Sequence, residues 1–124
     1  MKNILYCNTF SSEAGRALGL KNVYHLPWDH GAWFVFPVET TSGFWMKDTP
    51  IPLEIIFINS SYTIISIHNL KPHDSTIIKC EGPYKYALEV NPGWSEANNI
   101  RPGDDINTKV DLIFVRNISD HLVE

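Results

Sequence analysis

The segment that most constrains this chain is Leu53-Glu54-Ile55-Ile56-Phe57-Ile58, a six-residue run with five apolar side chains, set behind Pro50 and Pro52. A proline disfavours the helical region for the residue before it, so the two prolines deliver the chain extended into the run. An apolar run of this length, bounded by turn residues, reads as a buried strand. Asn59-Ser60-Ser61-Tyr62 supplies a tight turn, and Thr63-Ile64-Ile65-Ser66-Ile67 returns as the hairpin partner. Composition agrees with this local reading. Fourteen Ile, seven Val and seven Thr stand against five Ala, and β-branched side chains fit a pleated surface while crowding a helix.

The rest of the chain follows the same pattern. Lys2 to Tyr6 is a short first strand. Trp33-Phe34-Val35-Phe36-Pro37 is a strand ended by proline, and Phe44-Trp45-Met46-Lys47 is a further aromatic-rich strand segment. Ile77-Ile78, Tyr86 to Val90 and Ile106 to Val115 complete the strands, and Arg101-Pro102-Gly103-Asp104 is the turn before the last of them. One helix stands near the start. Ser11 or Ser12 caps it, Glu13 suits the positive end of its dipole, Ala14, Ala17 and Leu18 form its apolar face, and Gly19 stops it. Trp94 to Asn99 holds one further helical turn. Many short strands with turns every ten or so residues predict a mainly β domain, barrel or sandwich-like, with one short N-terminal helix.

At 124 residues the chain suits one domain, residues 1–124, large enough to bury a core without staples. Ten Lys and Arg against fourteen Asp and Glu give a net charge of −4. The two signs are interspersed, so neither a nucleic-acid footprint nor a nucleic-acid partner is expected. No apolar run reaches the ~20 residues of a membrane helix, and no membrane partner is expected. The N-terminal apolar stretch is too short for a signal peptide, so the expected location is cytoplasmic. Cys7 and Cys80 lie far apart with no metal-like spacing, which leaves a single disulfide open. The histidines cluster only at His68 and His73, around Pro72, and His25 and His30 straddle Pro27. Neither pattern matches a metal site, and no phosphate loop or dinucleotide fingerprint occurs, so no metal and no cofactor are expected.

The stretch Phe44-Trp45-Met46-Lys47-Asp48-Thr49-Pro50-Ile51-Pro52-Leu53-Glu54-Ile55-Ile56-Phe57-Ile58 closely resembles the hallmark FWMKNT-x-x-PLDIIFID of a prokaryotic family, domain of unknown function 192. Other family elements fall in order. Arg16-Ala17-Leu18-Gly19-Leu20 resembles its R-x-x-GLM element, Gly31 to Phe36 its GM-x-FVF strand, Tyr86 to Trp94 its VLE-x-x-AG stretch, and Ile100 to Ile106 its closing I-x-x-GD-x-V turn. The resemblance covers about residues 3–115 and implies a compact, mostly β, barrel-like fold without supplying a function. Lys21 and Ala32 stand where the pattern has methionine, Asp48 where it has asparagine, and Glu54 where it has aspartate. Many relatives carry a secretion signal or lipoprotein anchor. This chain begins with neither, so exported placement is not carried over. The Gly103-Asp104 turn is also similar to the GD-box of cradle-loop barrels, in which Asp ties down an adjoining strand.

Several side chains carry the functional expectations. Trp45 and Lys47 share one side of their segment, which suits a pocket floor beside a cation that meets an anionic group on a ligand. Glu54 and Glu89 each interrupt an apolar strand and need partners, since an unpaired buried charge is costly. Arg16, Lys47 and Arg101 are the natural internal partners. The functional alternative is a pair of carboxylates flanking a cleft, one with a raised pKa. Glu54, Glu89 and Asp48 are therefore the candidate catalytic residues. Trp45, Lys47, Asp48, Arg16, Glu54 and Trp94 are the candidate ligand-binding residues, Trp94 and Trp28 because exposed loop aromatics are often used in binding. The leading expectation is a small β-barrel binding module for a small molecule, sugar or peptide at a Trp/Lys-rimmed pocket. A homo-oligomeric or particle-building assembly protein, and a carboxylate-dependent hydrolase or lyase, are the alternatives.

Overall fold

The computed structural model of the protein, which describes residues 2–115, runs β1 (Asn3–Phe10), α1 (Glu13–Leu18), β2 (His30–Thr40), β3 (Leu53–Ile58), β4 (Ile64–Leu70), β5 (Tyr84–Val90), α2 (Trp94–Ala97) and β6 (Val110–Val115), with a 3-10 turn at Ile106–Thr108. The strands form one sheet in the order β4-β3-β5-β2-β1-β6. β1 lies parallel to both β2 and β6, and the other pairings are antiparallel. Mainly β architecture with one short N-terminal helix matches the expectation. The barrel does not close, because β4 and β6 end the sheet without pairing to one another. The free edge of β4 is taken at its start by the Gly103–Asp104 turn. There Ile64 donates to the Asp104 carbonyl and accepts from Gly103, both at 2.8 Å. The strand is thus tied by the backbone of that turn, while the Asp104 carboxylate accepts from the Arg101 amide at 2.8 Å.

β3 explains why the sheet needs cover on both sides: all six of its residues are buried. Ile56 and Ile58 pack with Leu5, Trp33, Leu88 and Val90 against Trp94, Ile100 and Ile106 from α2 and the chain after it. Leu53, Ile55 and Phe57 face the other way, into a layer with Phe34, Ala87, Leu20, Leu26 and Met46. Successive residues of a strand point to opposite faces, so one apolar run serves two cores.

Local signals place the helix as read. Ser12 caps α1, its hydroxyl accepting from the Gly15 amide at 2.9 Å, and Gly19 ends it at φ +48°. A Cβ at Gly19 would also lie 3.2 Å from the Phe34 ring. Gly19→Ala is expected to cost about 1–3 kcal/mol through backbone strain and this crowding, seen as a lowered urea midpoint. An unchanged midpoint would mean that the turn relaxes freely.

Four strand assignments need correction. Pro37 does not end β2, which continues to Thr40 across a register shift between Val35 and Thr40. A proline is tolerated at such an irregularity because no ladder donor is required of it. Lys85 fills the gap, donating to the carbonyls of Phe36 at 2.6 Å and Pro37 at 3.1 Å. Phe44–Lys47 and Ile77-Ile78 are not strands of the sheet, and meet only as an isolated bridge between Phe44 and Ile78. The last strand begins at Val110, after the 3-10 turn, rather than at Ile106.

Candidate functional site

α1 packs beside the outer half of β2, and the segment 42–49 folds over from the other side. The three do not fill the space they enclose, and a cavity of about 480 Å³ remains between them, within the range of small-molecule sites. Phe34 and Phe36 line it because even-numbered residues of β2 face this layer. Phe44 and Trp45 close the opposite wall, and α1 contributes Glu13, Arg16 and Ala17. The rings brace one another edge-on, with Phe44 5.1 Å from Phe34 and 6.2 Å from Phe36.

The wall at 44–49 is irregular backbone held by backbone hydrogen bonds on both flanks. Met46 donates to the Asp74 carbonyl at 2.8 Å, His73 donates to that of Thr49 at 3.0 Å, and Asn22 donates to that of Asp48 at 2.8 Å. Asn22, Asp48 and His73 all have positive φ, at 60°, 61° and 59°. These three residue types tolerate the left-handed region best after glycine. The Asp48 position is thus explained by its backbone, which clamps the chain after α1, and Asp and Asn serve there alike.

Glu89 reaches the floor of the cavity from β5. It is 4% exposed and lines the space. Its carboxyl makes no hydrogen bond or ion pair among the described residues, and neither oxygen is sealed from the cavity. Burial pushes this carboxyl up to about 8, because removing a charge from water favours the protonated form.

Glu54 has a different fate. β3 pairs with β5 so that Ile55 stands opposite Glu89 and Glu54 opposite Val90, which puts the two glutamates on opposite faces of the sheet. Glu54 accepts from the amides of Gly93 at 3.3 Å and Ser95 at 3.0 Å. It anchors the start of α2. The two acids therefore do not flank one cleft, and neither pairs with Arg16, Lys47 or Arg101.

Arg16 lines the cavity and lies 4.9 Å over the Phe36 ring. One of its terminal nitrogens donates to the carbonyls of Ser11 and Val35. Its other donors have no acceptor among the described residues. Trp45 stands at the cavity mouth, 45% exposed. Lys47 sits outside, its ammonium 5.5 Å over the Trp45 ring, and Asp48 is also exposed and outside. Trp94 is not a loop residue. It opens α2 and is 2% exposed in the first core, because Pro92-Gly93 turns the chain back onto the sheet. Trp28 is exposed in its loop, as read. Cys7 and Cys80 are both free and pack on opposite faces of the sheet. Among the described residues no group of three or more His, Cys, Asp or Glu could hold a metal, and no helix is long and apolar enough to cross a membrane.

The cavity thus gathers Arg16, Trp45 and Glu89 from the expected set and leaves Lys47, Asp48, Glu54 and Trp94 aside. Phe34, Phe36, Glu39 and Lys21 are lining residues that the sequence did not mark. The one local signal was Pro37, which spoils the ladder where β2 turns to form the rim.

The DUF192 family model, described as an uncharacterised ACR, matches residues 3–108. Two solved structures superpose on the chain, each with a TM-score of 0.77. One, from Sinorhizobium meliloti 1021, is provisionally described as a transcription regulator. It is 35% identical, over 80% of this chain and 78% of that one. The other, a protein of unknown function from Novosphingobium aromaticivorans DSM 12444, is 32% identical, over 80% of this chain and 71% of that one. No curated protein matches.

Proposed function

This chain belongs to the DUF192 family, and we propose that it works as a binding module that takes a small molecule into the cavity between α1, β2 and the 42–49 segment. The observation that carries this reading is Glu89, a residue only 4% exposed whose carboxyl opens onto that cavity and has no hydrogen-bond or ion-pair partner among the described residues. Such a carboxyl meets either water or a ligand in the cavity, and a ligand that brings a donor can replace the water there. The aromatic walls offer apolar area, and Trp45 at the mouth offers a ring that a ligand can cover. The S. meliloti relative's description adds no DNA contact to this reading, since the chain carries a net charge of −4 with its bases dispersed. Paired-carboxylate hydrolysis through Glu54 and Glu89 is not favoured, because the sheet separates them.

Native mass spectrometry of the purified protein and a thermal-shift screen of small molecules test the proposal. An adduct, or a ligand-dependent rise in Tm, is expected in wild type. Trp45→Ala should weaken binding roughly tenfold with little change in stability, as the ring is half exposed. Ala17→Trp, on the exposed side of α1 at the mouth, should abolish it. Ligands indifferent to both substitutions, or no ligand in either assay, would overturn the reading.

A further inference from the structure

Building on the binding-module reading, we propose that the ligand of this cavity carries an organic ammonium group, which pairs with the Glu89 carboxylate while its hydrocarbon body rests against Phe34, Phe44 and Trp45. Three observations point the same way. The first is the acid itself: it lines the cavity and accepts nothing from the protein among the described residues. An ammonium brings both donors and the opposite charge, whereas a neutral donor would leave an ionised carboxylate uncompensated. The second is the wall. Aromatic faces attract cations through their quadrupoles, most strongly where water is excluded.

The third is the charge balance. Arg16 and Lys21 also line the cavity, but so do Glu13 and Glu39. These two acids offset the two bases, so Glu89, once ionised, has no compensating charge in the cavity lining. Arg16 forms no ion pair with Glu89. Arg16 reaches the Val35 carbonyl, whereas Glu89 stands opposite Ala32, a separation of roughly 10 Å along β2. Ile55, opposite Glu89 on β3, and Thr49, which lines the same cavity, carry no charge.

Binding is then coupled to a proton. With its carboxyl pushed up to about 8, Glu89 is mostly protonated at neutral pH. It must ionise as the ammonium arrives, and the proton leaves to the buffer. Affinity therefore rises with pH to about 8 and levels off above it.

Isothermal titration with three phenyl probes of similar size tests the inference: phenethylamine, 2-phenylethanol and 3-phenylpropionate. Phenethylamine should bind at least tenfold more tightly than the alcohol, and the carboxylate should bind least. The amine's affinity should rise about ninefold from pH 6 to 7 and about fivefold from pH 7 to 8, with proton release falling from close to one at pH 6 to about one half at pH 8, read from buffers of different ionisation enthalpy. Glu89→Gln should erase the preference for amine over alcohol, and the wild-type preference itself is a test that needs no variant. If the alcohol or the carboxylate binds as well as the amine, the ammonium assignment is wrong while the binding module stands. If none of the three binds and the wider screen also fails, both are wrong.

Discussion

Raising the pH from 5 to 9 is expected to destabilise the wild-type protein by roughly 3–5 kcal/mol relative to Glu89→Gln. The sign follows from linkage. Burial pushes the Glu89 carboxyl up to about 8 in the folded chain, against 4.5 for a solvated glutamate, so between those values the folded state holds the proton more tightly than the unfolded state. The stability from keeping it neutral is fully present below about 4.5 and is lost as the pH rises through 8. Cys7, whose thiol burial pushes up to about 12, acts only above pH 9 and does not enter the window. Urea melts of both proteins at pH 5, 7 and 9 give the comparison. Parallel curves would show that the carboxyl is hydrated in the cavity and not held neutral.

Glu54→Ala should produce a loss of about 2–4 kcal/mol. The substitution removes the acceptors of the Gly93 and Ser95 amides, and Ser95 lies in a buried stretch next to Trp94. Unlike Glu89→Gln, it should destabilise at every pH from 6 to 9. Glu54→Gln keeps one oxygen and should lose about half as much. A loss below about 1 kcal/mol in the alanine variant would mean that water reaches those amides and that Glu54 does not anchor α2. The two glutamates look alike in the sequence, each an acid within an apolar strand, and these experiments should separate them by sign as well as size.

What was legible was what neighbours along the chain decide. Ser12 and Gly19 bound α1 because a cap and a left-handed stop are local chemistry. The bounds of Leu53–Ile58 are local too, because prolines precede it and a turn follows. The turn itself depends on Asn59, whose side chain accepts from the amides of Ser61 and Thr63. The local pattern misleads where a distant segment has the deciding contact. Phe44–Lys47 alternates as a strand does, with Phe44 and Met46 inward and Trp45 and Lys47 outward, yet its partners are loops and it never joins the sheet. Trp94 follows a Pro-Gly turn, which commonly exposes a residue, but this turn folds it back beneath β3 and β5.

By itself, the sequence determined the mainly β class, the helix and its ends, the central hairpin and, through its ordered motifs, the family. Tertiary structure alone decided which of two buried acids anchors a helix and which faces a cavity. The physical reason is that a period of two says only that a side chain points away from its neighbours. The pairing of β3 with β5 sets Glu54 and Glu89 on opposite faces, and the elements packed on each face decide what they meet. On one side the amides of α2 arrive at Glu54. On the other, α1 and the 42–49 segment stop short of each other and leave Glu89 at the bottom of the gap.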